Sequence, residues 1–247
     1  TNGFRLDGIG AYDFSGSSVS SAGDVNSDGF DDVVIGAGRS TLIGDTSGSG
    51  YVVFGRASAF DASMNLSELN GSNGFRLDGD NAHEHFGFSV SNVGDVNGDG
   101  FGDVIIGVPG TGAGGSSYVV FGRASGFDAS MNLTSLDGRN GFRLDGGGLG
   151  ADSGWSVSAA GDVNGDGFAD VLIGAPGADL NGKVNSGSSY VVFGQASGFS
   201  AVMNLSSLNG VNGFRLDGEH AGDFSGTSVS SAGDINGDGF DDVIIGS

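Results

Sequence analysis

The chain has 247 residues, of which 52 are glycine, two are proline and none is cysteine. Thirty acidic residues against nine basic ones leave a formal net charge of −21 at pH 7, which excludes nucleic acid and anionic membrane as partners. Regular alternation of aliphatic and aromatic residues excludes a disordered glycine-rich polymer, and no apolar run is long enough to cross a bilayer.

Taken in order, the chain is a repeat. Asn2 opens the run N-G-F-R-L-D-G, which returns at Asn73, Asn140 and Asn212, with spacings of 71, 67 and 72 residues. The units run over 8–78, 79–145, 146–217 and 218–247, with 1–7 as an orphan strand ahead of them, in one domain spanning 1–247. Each unit reads as four short strands. Strand one (15–23, 87–94, 154–161 and 225–233) is rich in Ser, Ala and Gly, which suits a crowded position near a central axis. Strand two (Val33-Val34-Ile35, Val104-Ile105-Ile106, Val171-Leu172-Ile173, Val243-Ile244-Ile245) is apolar on both faces, as a strand sandwiched between neighbouring sheets must be. Strand three is Tyr51 to Gly55, Tyr118 to Gly122 and Tyr190 to Gly194.

A long link follows strand three, F-D-A-S-M-N-L-S-E-L from Phe60 to Leu69, with copies at Phe127 and Phe199. Its Met64, Leu66 and Leu69 are expected against the blade edge, whether the segment is extended or a helical turn. Strand four is Gly3 to Asp7 and its copies, with Phe and Leu on one face and Arg and Asp on the other. The regular recurrence of Arg5, Arg76, Arg143 and Arg215 favours a framework ion pair, to Asp7, Asp78, Asp145 and Asp217 or to a neighbouring blade, over a ligand site. Such units in tandem predict an all-β fold: a β-propeller of four-stranded antiparallel blades, three full and a partial fourth, with a solenoid as the competing arrangement. The last unit stops at Ser247 after its second strand, so the reading is a piece of a longer propeller or array, or one that a second copy completes by self-association.

Between strands one and two lies the most specific signal. Four nine-residue loops place oxygen side chains at positions 1, 3, 5 and 9: Asp24, Asn26, Asp28 and Asp32; Asp95, Asn97, Asp99 and Asp103; Asp162, Asn164, Asp166 and Asp170; Asp234, Asn236, Asp238 and Asp242. Glycine holds position 6, and Phe30, Phe101, Phe168 and Phe240 at position 7 offer a backbone carbonyl. A hard cation takes six to eight oxygens, so the pattern points to about four Ca²⁺ ions. The first six positions match the EF-hand loop, but its position-12 Glu is replaced by Ile35, Ile106, Ile173 and Ile245, and the loop enters a strand. The plainer alternative is a set of acidic Asn/Asp/Gly turns. Electrostatics argues against it, because two carboxylates about 4 Å apart repel by about 4 kcal/mol at an effective dielectric near 20, and a divalent ion reverses that sign.

The run Phe86-Gly87-Phe88-Ser89-Val90, the acidic loops and Gly174-Ala175-Pro176 resemble the FG-GAP repeats of integrin α-subunit β-propellers and their bacterial relatives. The resemblance implies calcium in the strand one–two loops on a lower face and partner binding by the strand four–one and two–three loops of an upper face. The chain departs from the pattern where F-S-G (Phe14, Phe224) or S-G-W (Ser153 to Trp155) stands for the Phe-Gly pair, and where Gly36-Ala37-Gly38 and Gly107-Val108-Pro109 stand for G-A-P.

Other motifs carry less. His83-Glu84-His85, with His220 in the matching loop, offers imidazoles to a transition metal but lacks the further ligands zinc wants. Gly110 to Gly115 spells G-x-G-x-x-G without a following helix, and Gly147 to Asp152 is a lone half of a calcium β-roll repeat. Asn65, Asn70, Asn132 and Asn204 stand in N-x-[ST] triplets, read as ordinary loop residues in a bacterial chain and as glycan acceptors in a eukaryotic one. There is no thiol and no G-x-S-x-G elbow, so no enzyme is read.

The expectation is a calcium-binding extracellular interaction or adhesion module, at the cell surface of a bacterium, that meets a protein or glycan through its upper loops (8–13, 79–85, 146–152, 218–223, 36–50, 107–115 and 174–187). Loops of this type fill where calcium is millimolar, which places them outside the cell. The alternatives are a lectin-like propeller using Trp155 and Tyr12, a structural unit of a surface filament or large adhesin, and an accessory domain of an enzyme.

Overall fold

Branched apolar residues alternating with small polar ones form short strands, and glycine-rich turns end them. The computed structural model describes residues 3–38, 48–79, 85–110, 114–124, 126–148, 150–180 and 182–247. It opens on β1 (Arg5–Asp7). The first unit then gives β2 (Ser18–Gly23), β3 (Asp32–Ala37), β4 (Ser49–Val53), β5 (Ser63–Asn65) and β6 (Gly74–Asp78). The second gives β7 (Ser89–Gly94), β8 (Asp103–Val108), β9 (Ser116–Val120), β10 (Ser130–Asn132) and β11 (Gly141–Asp145). The third gives β12 (Ser156–Gly161), β13 (Asp170–Ala175), β14 (Ser188–Val192), β15 (Val202–Asn204) and β16 (Gly213–Asp217), and the last gives β17 (Ser228–Gly233) and β18 (Asp242–Gly246).

Three antiparallel meanders result, β2-β3-β4-β6, β7-β8-β9-β11 and β12-β13-β14-β16, with the pair β17-β18 as a partial fourth blade. The all-β propeller arrangement is therefore the one the repeats predicted. The small residues of strand one have a visible purpose: first strands of successive blades lie side by side. The Val90 N–H donates to Ser18 Oγ at 3.0 Å, and the Val157 N–H to Ser89 Oγ at 3.2 Å. Strands two and three of the full blades are enclosed, with every residue of β8, β13, β4 and β14 buried. The cores lie between blades. Val34, Val52, Phe75 and Leu77 of the first blade share one cluster with Val90, Val104, Ile106 and Val120 of the second. Each such side chain contributes about 1.5–3 kcal/mol by leaving water.

One element departs from four strands per unit. The link after strand three contains a fifth, three-residue strand that pairs in parallel with strand four of the preceding unit. β5 pairs with β1, β10 with β6, and β15 with β11. The first Phe of each link explains the reach. Phe60 stacks on Phe4 at 4.0 Å between ring centroids, Phe127 on Phe75 at 4.4 Å, and Phe199 on Phe142 at 4.5 Å. The link is extended first and helical second. Asn65, Asn132 and Asn204 accept the N–H groups of Ser67, Thr134 and Ser206 at 2.9, 2.9 and 2.8 Å, capping single 3₁₀ turns. Leu66, Leu133 and Leu205 are buried at the start of those turns, while Leu69 is buried and Met64 packs against the same cluster, as the link pattern predicted.

The repeated arginines form framework ion pairs within their own strands: Arg5–Asp7 at 2.7 Å, Arg76–Asp78 at 2.7 Å, Arg143–Asp145 at 2.8 Å and Arg215–Asp217 at 2.6 Å.

Candidate metal-binding loops and the opposite rim

In each blade the strand one–two loop begins at a β-bulge and curls around its own first aspartate. Asp95 Oδ1 accepts the N–H groups of Gly98 at 2.7 Å and Asp99 at 3.0 Å, and its Oδ2 that of Gly100 at 2.8 Å. Asn97 Oδ1 takes the Asp99 N–H at 2.9 Å, and Asp99 Oδ1 the Phe101 N–H at 3.0 Å. The other copies wind the same way, with Gly29, Gly167 and Gly239 donating to Asp24, Asp162 and Asp234, each at 2.9 Å. The position-6 glycines have φ of 87°, 89°, 89° and 91°, a left-handed turn that a β-carbon resists. The oxygens of positions 1, 3 and 5 are thus gathered inside one turn in every unit.

Position 9 is placed differently. Asp32, Asp103 and Asp170 are buried and hold backbone amides with both oxygens. Asp103 accepts Val96 N–H at 2.9 Å and Gly122 N–H at 2.9 Å; Asp32 accepts Val25 at 2.9 Å and Gly55 at 2.7 Å; Asp170 accepts Val163 at 2.9 Å and Gly194 at 2.9 Å. Asp242 accepts Ile235 at 3.0 Å. Gly55, Gly122 and Gly194 were missed as members of the loop site. Their signal was the recurring Phe-Gly that ends strand three. Burial, reinforced by Asp99 and Asp95, pushes the Asp103 carboxyl up to about 8 against the opposing pull of its two amide bonds; burial raises Asp32 and Asp170 to about 6. Asp234 moves the other way, held below its ordinary value first by the Gly239 amide.

Among the described residues no three His, Cys, Asp or Glu side chains close together as a metal cluster. Each loop instead offers a mixed set of carboxylate, amide and main-chain oxygens. A carboxylate that accepts one amide per oxygen keeps a second lone pair on each. The donor set is all hard oxygen, and in the first three loops it includes a buried carboxyl that a nearby cation would favour in its ionised form, so these residues fit a divalent cation such as Ca²⁺. His83 and Glu84 lie outside the described residues. His220 Nδ1 is 3.7 Å from Asp223 and its Nε2 4.0 Å from Glu219.

The meander puts the strand four–one and two–three connections at the other end of the blades. There the equivalent residues Phe14, His85, Asp152 and Phe224 all have left-handed backbones, with φ of 56°, 54°, 53° and 52°. The next position is filled by Ser15, Phe86, Ser153 and Ser225, so the phenylalanine of the Phe-Gly pair is replaced by serine. Phe14 and Phe224 are a separate, exposed pair one residue earlier. Beyond the glycine come Ser17, Phe88, Trp155 and Thr227. The Phe88 and Trp155 rings meet at 4.8 Å. Trp155, Phe224, Asp152, Pro176, Asn185 and Thr227 line a cleft of about 450 Å³ between the third blade and the partial fourth. Tyr12 stands almost fully exposed. The centres of the first three two–three loops (39–47, 111–113 and 181) and residues 80–84 and 149 lie outside the described residues.

The FG-GAP repeat model matches residues 15–54, 86–120, 153–192 and 225–247. The chain is 34% identical over 164 residues to integrin alpha-PS5 of Drosophila melanogaster and 30% identical over 178 residues to integrin alpha-5 of Xenopus laevis. It is 30% identical over 193 residues to a phosphatidylinositol-glycan-specific phospholipase D of Dictyostelium discoideum. These alignments take in 64%, 68% and 72% of this chain but 14%, 16% and 19% of those proteins, so the chain spans less than a fifth of the length of these relatives. No helix among the described residues is long and apolar enough to cross a membrane, a statement that does not bear on β-barrels. With matched segments that begin at Ser15, Phe86, Ser153 and Ser225 and each enclose one acidic loop, the chain belongs to the FG-GAP repeat family.

Proposed function

We propose that this chain is a calcium-stabilised, non-catalytic interaction module of the extracellular space or cell surface. Its partner, a protein or glycan, meets the rim opposite the acidic loops. The observation that carries the reading is the fourfold loop. Asp24, Asn26 and Asp28, and their copies at Asp95, Asn97 and Asp99, Asp162, Asn164 and Asp166, and Asp234, Asn236 and Asp238, would hold the ion. The carbonyls of Phe30, Phe101, Phe168 and Phe240 and the carboxylates of Asp32, Asp103, Asp170 and Asp242 would complete the set. Bound calcium supplies the positive charge that lets the loop carboxylates ionise together. Membership of the FG-GAP family and likeness to integrin alpha chains support a binding role over a catalytic one. The test is thermal unfolding in EDTA and in about millimolar calcium, the extracellular range for such loops. Chelation is expected to lower the melting temperature by many degrees, and identical melts would overturn the metal role.

A glycan partner is favoured at one place, the cleft between Trp155 and Phe224, where aromatic faces stand beside the Asp152 carboxylate and the Asn185 amide. The chain has a single tryptophan, so Trp155 fluorescence reports on that cleft directly. A glycan-array hit that also shifts this emission supports the glycan reading; a hit with unchanged emission removes the cleft from it.

A further inference from the structure

We infer that the acidic loops fill cooperatively: a cation in one loop raises the affinity of the loop in the adjoining blade. This rests on the calcium reading above, but it is carried by hydrogen bonds between loops and not by the acidic residues alone. The position-9 carboxylates of three blades lie on one continuous path. Gly194 N–H donates to Asp170 at 2.9 Å, and the next amide, Gln195, donates across the blade boundary to the Val96 carbonyl at 3.0 Å. The Val96 N–H donates to Asp103 at 2.9 Å, which also accepts Gly122 N–H at 2.9 Å. The next amide again crosses a boundary: Arg123 N–H donates to the Val25 carbonyl at 2.9 Å, and Val25 N–H to Asp32 at 2.9 Å.

Two more contacts follow the same direction. The position-8 amide of each later loop donates to the position-1 carbonyl of the loop before it: Gly102 to Asp24 at 3.0 Å, Ala169 to Asp95 at 3.1 Å and Asp241 to Asp162 at 3.1 Å. The Phe168 ring lies over Gly98, and the Phe240 ring over Gly165, so closely that a β-carbon at either glycine would collide with it. Each of the first three loops is therefore held at position 1 by the loop that follows, the second and third also at position 4 by its ring, and the first two at position 2 by the end of strand three in the next blade. An ion that fixes the later loop fixes these donors and rings. The earlier loop then loses less conformational freedom when its own ion binds, which is a positive coupling that needs no change of shape. Couplings of this kind amount to about 5–150-fold in affinity.

The experiment is a calcium titration of the whole chain followed by amide resonances, with Gly98 and Gly100 reporting on the second loop and Gly165 and Gly167 on the third. In the unaltered protein these signals are expected to move over one narrow calcium range with a Hill coefficient above 1. In the double variant Asp162→Asn, Asp166→Asn, the half-saturation of the second loop is expected to rise by at least about 5-fold although none of its own residues has changed. A second loop that fills at the same calcium concentration in both proteins, or independent hyperbolic titrations in the unaltered one, overturns the coupling and leaves the calcium reading standing. Amides that do not respond to calcium in the unaltered protein overturn both. The titration of the unaltered protein decides the matter even if the variant fails to fold.

Discussion

At one end of the blades four loops repeat the same side chains at positions 1, 3, 5 and 9; at the other end the equivalent positions hold Ser17, Phe88, Trp155 and Thr227. The two ends are built on the same strands, so backbone geometry does not explain the difference. The repeating end is bonded inward, with each carboxylate taking amides of its own loop or of the end of strand three. The varying end turns aromatic side chains outward: Phe14, Phe88, Trp155 and Phe224 are each at least 38% exposed. Residues that recur serve the frame, and residues that change from unit to unit are free to serve a partner.

On the proposed calcium role, the widest separation of the two ends is expected on removing the ion. One site saturated at 100 times its dissociation constant contributes about 2.7 kcal/mol, so several filled sites add stability on the order of 10 kcal/mol. Urea unfolding with and without EDTA measures the whole of it. A difference under about 2 kcal/mol would mean that the loops bind calcium weakly or not at all, against the metal role. A smaller and more local break is Asp103→Ala. It strands the buried N–H groups of Val96 and Gly122, at about 1–3 kcal/mol each, so a loss of about 4 kcal/mol is expected. The same change at Asp234, whose loop is exposed to water, is expected to cost little in metal-free protein.

Acidity separates the ends in another way. The Asp103 carboxyl sits at about 8 in the fold against an ordinary 3.8, and Asp32 and Asp170 sit at about 6. With the folded value raised, the native chain holds protons that the unfolded chain has released. Metal-free stability is therefore greatest below the ordinary value and falls as pH rises through the window from 3.8 to about 8. Bound calcium requires the ionised form, so with calcium present stability is expected to rise over the same window. Unfolding midpoints at about pH 5 and about pH 8, each with and without calcium, test both signs. A parallel pair of slopes would separate these carboxylates from the metal.

Most of the frame was legible from the chain. The spacing of N-G-F-R-L-D-G set the unit, the apolar runs set strand two, and the recurrence of Arg76 and its copies pointed to a framework ion pair, whose partner the structure identifies as Asp78 of the same strand and not a neighbouring blade. The fifth strand was not legible, because Ser130–Asn132 is three residues long and finds its partner in the preceding unit. No period can show in three residues, and a parallel partner leaves no turn between the two. What could have announced it was Phe127, the aromatic that opens each copy of the link, whose ring needed a mate and found Phe75. Of the loop site, positions 1, 3 and 5 were legible as a turn with oxygen at every second residue. The buried placement of position 9 was not, since it depends on Gly122 of another strand.

The smallest expected effects on stability, and the sharpest on binding, lie at the rim. Trp155→Ala removes a ring that is 38% exposed and packs on Phe88, and is expected to cost about 1 kcal/mol of stability. If the rim is the contact surface, the same change costs about 2 kcal/mol or more of partner affinity. Phe224→Asn adds a test of sign. A phenylalanine held at φ 52° bears a backbone penalty of roughly 1–2 kcal/mol that asparagine largely escapes. The ring is also exposed, so little packing is lost when it goes. The variant should then be the more stable protein and the weaker binder. Strain retained beneath an exposed aromatic has a physical rationale if that ring touches a ligand. A Phe224→Asn protein that binds its partner unchanged would move the contact surface away from this rim and leave the strain at residue 224 without that explanation.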